Sequence, residues 1–139
     1  MKLITTLNQI RAHSPCRDGW AQLLTSLGKT TADNEPLELK TILESNGFKD
    51  ALWCLRVFEG RDCEIRLYAV WCARQVQHLM TDERSIAALD VAEKFAKGMA
   101  SRDDLITAGD AARAAAWDAA RDAARDAQKA QFIKMFCED

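Results

Sequence analysis

"CEIRLYAVWCARQVQHLM", residues 63–80, is the most apolar segment of this chain. Leu67, Val70, Trp71, Val76 and Leu79 fall mostly on one face when the segment is wound at 3.6 residues per turn. Read this way it is a helix of about five turns, central in the core. Its neighbours repeat the pattern. "TDERSIAALDVAEKFAKG" (residues 81–98) turns Ile86, Leu89 and Phe95 inward and stops at Gly98. "FKDALWCLRVFEG" (residues 48–60) is a shorter helix with Leu52, Trp53, Leu55 and Phe58 inward.

The N-terminal third reads likewise. Leu3, Ile4, Leu7 and Ile10 predict a first short helix. Ser14 and Pro15 are a cap and a first helical residue, and Gly28 a stop, for a second helix burying Trp20, Leu23, Leu24 and Leu27. Pro36 opens a third with Leu39, Ile42 and Leu43 inward, ending before Gly47. No stretch alternates with period two for long enough to build a sheet. The expected fold is a single all-α domain of six or seven helices over residues 1–139, with N-terminal helices in 1–48, core helices in 49–98 and an alanine-rich helix over 101–136.

That last segment opens with Ser101 and Asp104, the spacing of a capping box. Alanine pairs at 111/112, 115/116, 119/120 and 123/124 then recur every four residues. Four residues turn a helix about 400°, so the small-residue ridge winds obliquely and suits a crossing near −50°. Asp118 with Arg121, Asp122 with Arg125 and Asp126 with Lys129 are acid-before-base pairs on the polar side. An unbroken helix from 101 to 136 would be about 50 Å long against roughly 35–40 Å for a compact domain of this size. It therefore breaks near Gly109, overhangs the domain, or is covered by a second copy. Trp117 stands in the column of Arg113, Arg121 and Arg125, either folded over the core edge or presented with those arginines to a partner. Phe132, Ile133, Met135 and Phe136 need cover from the N-terminal helices or another subunit.

The composition bounds the function. The 139 residues are 48% hydrophobic and 29% charged with a net charge of −2, and nearly every base has an acid within four residues. This disfavours nucleic acid as a partner, since its binders gather lysine and arginine into a patch. No run approaches the ~20 apolar residues of a membrane span, and the start has neither the apolar run nor the cleavage site of a signal peptide. Five cysteines without such a signal suggest reduced thiols in a cytoplasm.

Chemistry-bearing residues are sparse. Cys54, Cys63 and Cys72 are spaced by nine and His13 and Cys16 form an H-x-x-C. Structural zinc prefers close pairs such as C-x-x-C, so these thiols read as small buried hydrophobes, and neither metal nor cofactor is expected. A cysteine nucleophile would need His13 or His78 beside it. Arg74, His78 and Arg84, with Asp82, gather near a helix junction and are the candidate anion or ligand residues. No glycine-rich phosphate loop and no catalytic acid pair is recognisable.

The series "DALWCLR", "IRLYAVWCARQV", "DERSIAALDVAEKFAKG" and the alanine-rich tail resembles a group of small bacterial and phage proteins, some labelled immunity proteins of an Imm5-like type. The likeness covers about the last two-thirds of the chain, from Asp50 onward. It implies a helical fold and a bacterial or phage origin, carries no catalytic residues, and makes Trp53, Arg56, Arg66, Arg84 and Gly98 positions of structural role. The expected function is therefore non-enzymatic: binding and neutralising another protein, as an immunity protein or a phage-encoded inhibitor of host machinery. The alternative is a self-associating accessory protein that dimerises through the C-terminal helix.

Overall fold

The computed structural model describes residues 1–75, 77–79, 83–104 and 125–139, excepting the side chains of Leu79, Arg84 and Ser85. The protein is mostly helical, with one two-stranded pairing of two residues per strand. In chain order the elements are β1 (Ile4–Thr5), α1 (Leu7–Ala12), α2 (Arg17–Ser26), β2 (Leu37–Glu38), α3 (Leu39–Asn46), α4 (Phe48–Cys54), α5 (Asp62–Gln75), α6 (Glu83–Ala96) and α7 (Arg125–Phe136). Single 3-10 turns cover Leu55–Val57 and Gln77–Leu79. Two compact units are present, Met1–Glu59 with Phe132–Asp139, and Gly60–Gln131.

In the first unit the chain begins extended where helix was expected. Ile4 pairs with Glu38 and Thr5 with Leu37, antiparallel. The Leu3 amide donates to the Phe136 carbonyl and the Leu39 amide to the Leu3 carbonyl, both at 3.0 Å. The extended start thus satisfies backbone groups at two helix ends, which a longer α1 could not do. Thr6 caps α1, its hydroxyl accepting from the Gln9 amide at 3.2 Å, so Leu7 and Ile10 are buried in the helix while Ile4 is exposed. Ser14 does not cap α2. It takes a positive φ of 54° in the turn, and Cys16 occupies the N-cap without a side-chain bond. Gly28 ends α2 as expected. With φ at 66° it lets its own amide reach Thr25 and the Lys29 amide reach Leu24, the double closure of a Schellman turn.

Pro36 precedes the β2 pairing rather than a helix, and α3 starts at Leu39. The inward set of α3 is as expected: Leu39, Ile42 and Leu43 are buried. Phe132 and Phe136 are buried in the same unit, both 0% exposed. Phe132 stands edge-on to Phe48 and to Phe136, with ring centroids 5.5 and 5.3 Å away. The C-terminal aromatic pair is therefore covered by the N-terminal elements, one of the two covers its sequence required.

The second unit is built on α5 and α6. Tyr68 and Val70 are buried in α5, whereas Leu67 and Trp71 are half-buried. Tyr68 enters because its hydroxyl finds a partner, donating to the Gln128 carbonyl at 2.9 Å. The described helix covers Asp62–Gln75, and Gln77–Leu79 form a 3-10 turn where the periodicity predicts continued α-helix. In α6, Ala88, Leu89 and Ala96 are buried, with Ile86 and Phe95 half-buried. Arg66 lies over the Phe95 ring at 4.7 Å. Gly98 closes α6 with φ at 74°, freeing the Met99 amide to reach the Lys94 carbonyl at 2.7 Å. The Ser101–Asp104 capping box forms reciprocally, each amide bound by the other's side chain at 3.1 Å, and holds the Asp104 carboxyl below its usual range. The alanine repeat, Gly109 and Trp117 lie outside the described residues.

Candidate functional site

Two helix faces of the first unit share one spacing. On α2 and its N-cap, Cys16, Gly19, Trp20 and Leu23 stand at i, i+3, i+4 and i+7; on α4 and the following turn, Lys49, Leu52, Trp53 and Arg56 do the same. Such positions form a single stripe on a helix. Here both stripes line one cavity of about 500 Å³, to which Ile10 and Ile42 also contribute. Ala51 and Leu55 of this segment are buried away from the cavity, and Cys54 is buried in the cavity wall. Of the inward set expected for that helix Leu55 is buried, whereas Leu52 and Trp53 line the cavity and stay half-buried, as does Trp20.

The polar groups of the cleft are individually placed. Asn46 holds the side of α3 toward α2 and α4, its amide donating to the Gly19 carbonyl at 2.8 Å and to Asp50 Oδ2 at 2.9 Å. Gly19 leaves room for this approach. A Cβ there would sit 2.8 Å from Asp50 Oδ2 and 3.1 Å from Cys16 Sγ, closer than those groups tolerate without moving. Asp50 is thereby turned toward α2. Arg56 is turned along α4: its Nε donates to the Trp53 carbonyl at 2.9 Å and its guanidinium carbon lies 4.5 Å over the Trp53 ring. Stacking and this bond, made through Nε, orient the guanidinium plane without using its terminal nitrogens. Lys49, two turns earlier in the same lining, is exposed.

Burial, with Asp50 adding to it against an opposing effect of Arg56, pushes the Cys54 thiol up to about 12. It is therefore protonated near neutral pH and a poor nucleophile. We expect iodoacetamide to modify Cys54 no faster than the fold opens at pH 7–8, measured by mass spectrometry against exposed Cys16. The neutral thiol's contribution to stability is complete below its ordinary value of 9.0 and declines as pH rises from there toward its folded value. Rapid labelling of Cys54 at pH 7 would contradict the burial described.

The residues singled out from the sequence fare differently. Arg74 Nη2 contacts Asp90 at 2.7 Å and Glu93 at 2.9 Å, and its Nη1 reaches Gln77 at 2.9 Å. Glu93 is also paired with Lys97 at 2.7 Å. The guanidinium is thus already shared between carboxylates, an arrangement that repels rather than gathers a further anion. His78 is exposed on its 3-10 turn, and the Arg84 side chain and Asp82 lie outside the described residues. Among the partner-binding candidates, Arg125 is exposed at the start of α7, while Arg113, Trp117 and Arg121 lie outside the described residues.

All five cysteines are free thiols. Among the described residues no cluster of three or more histidine, cysteine, aspartate or glutamate is placed to hold a metal, and no helix is long and apolar enough to cross a membrane. The cleft is therefore the candidate site. Its periodic signal is visible in the sequence, but a stripe such as Trp20 and Leu23 describes a core face equally well; Leu23 is buried as expected and Trp20 is half-buried. No family model matches the chain, nor does any curated protein or solved structure.

Proposed function

We propose that the protein acts by binding, not catalysis, and that it neutralises another protein by docking it in the cleft between α2 and α4. The observation carrying this reading is the pair of half-exposed tryptophans, Trp20 and Trp53, facing one cavity of about 500 Å³. Tryptophan and arginine are the residues most enriched at the energetic centres of protein interfaces, and here Arg56 is stacked on Trp53. The lining contains no histidine and a single carboxylate, and its buried thiol is held protonated, which supports recognition over acid–base or nucleophilic chemistry. The resemblance of residues 50 onward to immunity-like bacterial and phage proteins supports the same reading. We place its action in the cytoplasm of a bacterium or of a phage-infected host cell.

Self-association through the C-terminal helix is less favoured, because Phe132 and Phe136 are already fully covered within the chain. The test is affinity capture with mass spectrometry on three baits: wild type, Trp20→Ala/Trp53→Ala, and Trp117→Ala, each checked for native helicity. A partner held by wild type and Trp117→Ala but lost by the double variant is the expected result. Loss only with Trp117→Ala would move the interface to the alanine-rich segment. Capture of the chain itself alone would favour self-association.

A further inference from the structure

The rim of the cleft carries a charge asymmetry that its apolar walls do not explain. Lys49 and Arg56 lie on the same stripe of α4 as Leu52 and Trp53. Neither takes part in an ion pair among the described residues, so both charges at this edge of the cavity are open to a partner. The carboxylate in the lining, Asp50, is turned to α2 by Asn46 and packs against Gly19. Arg56 is oriented beforehand, by its ring stacking and its bond to the Trp53 carbonyl through Nε, and among the described residues no hydrogen bond engages its terminal nitrogens. A planar guanidinium held in this way matches the two oxygens of a carboxylate.

We infer that the cleft is built for an acidic segment of a partner protein, one that inserts an apolar side chain between Trp20 and Trp53 and sets a neighbouring carboxylate against Arg56 and Lys49. The inference rests on the docking reading above and adds the chemistry of the occupant. The apolar walls supply affinity; the two cations select which apolar segments are admitted and in which direction they lie. A basic or neutral segment would leave Arg56 and Lys49 unpaired at the edge of a desolvated contact, and the C-terminal segment of a second copy could not supply Phe136 with Glu138 two residues on, because Phe136 is fully buried.

The test uses three synthetic twelve-residue peptides sharing one tryptophan and one leucine four residues apart, flanked by glutamate, glutamine or lysine. Each is titrated into 15N-labelled protein while the indole N–H signals of Trp20 and Trp53 are followed. The glutamate peptide should shift both signals and bind about three- to tenfold tighter than the glutamine peptide, the range two exposed charge pairs support. The lysine peptide should bind most weakly. In Lys49→Glu/Arg56→Glu, two exposed positions whose exchange leaves the core untouched, the order should invert. Equal binding of all three peptides, or an order unchanged in that variant, would overturn the acidic assignment while leaving docking intact. No shift from any peptide would sink the docking reading with it. If free 4-phenylbutyrate bound tighter than the glutamate peptide, the cleft would be a small-molecule site and the inference would fall.

Discussion

Replacing Phe132 by alanine is expected to cost about 3–5 kcal/mol of stability, the range for emptying a buried phenylalanine site. The reason lies in what surrounds it. Phe132 is 0% exposed and stands edge-on to both Phe48 and Phe136, so truncation strands two rings as well as opening a cavity. The site cannot collapse easily. The Phe136 carbonyl is bound by the Leu3 amide, which pins α7 to the start of the chain, and Phe48 begins the short helix α4. Phe132→Leu should recover part of the loss by refilling volume without the edge-to-face contacts. Urea unfolding with the three proteins side by side gives the comparison. A cost below about 1 kcal/mol, the level typical of surface positions, would mean that the C-terminal aromatic pair does not close the first unit.

The second large effect concerns recognition. Trp53→Ala should weaken binding of the captured partner by about 2–4 kcal/mol, roughly thirty- to a thousandfold in Kd. Two contributions are lost together: one wall of the cleft, and the ring on which Arg56 is stacked at 4.5 Å. Trp53→Phe should lose much less, since a smaller ring still supports the guanidinium. Because the indole is only half-buried, the accompanying loss of stability should be smaller than that of Phe132→Ala. Isothermal titration with purified partner separates the two effects. Unchanged Kd for Trp53→Ala would remove α4 from the interface.

The helical character of the chain was legible from periodicity, and so were its punctuation marks. Gly28 and Gly98 end helices through the positive φ that a Schellman turn requires, and the Ser101–Asp104 spacing forms its box. What periodicity could not convey was which neighbour each stripe meets. Leu52 and Trp53 stand at helical spacing whether they face a core or a cleft, and only the burial of Ala51 and Leu55 beside their own half-burial decides it. Leu3 and Ile4 share the apolar spacing of a helix, yet the backbone needs of Phe136 and Leu39 draw that segment into extended form. Tyr68 was passed over because its hydroxyl needs a partner sixty residues away, at Gln128. Arg74 illustrates the converse: its spacing from His78 suggested a binding cluster, and the residues that claim it, Asp90 and Glu93, lie on another helix.

The most direct test of the cleft as the docking site is amide hydrogen exchange on the protein with and without its captured partner. Binding in the cleft predicts slowed exchange concentrated in Arg17–Ser26 and in Phe48–Cys54 through Val57, with α5 and α6 unchanged. Protection confined to residues 111–127, or to α5 and α6, with α2 and α4 exchanging as in the free protein, would contradict it.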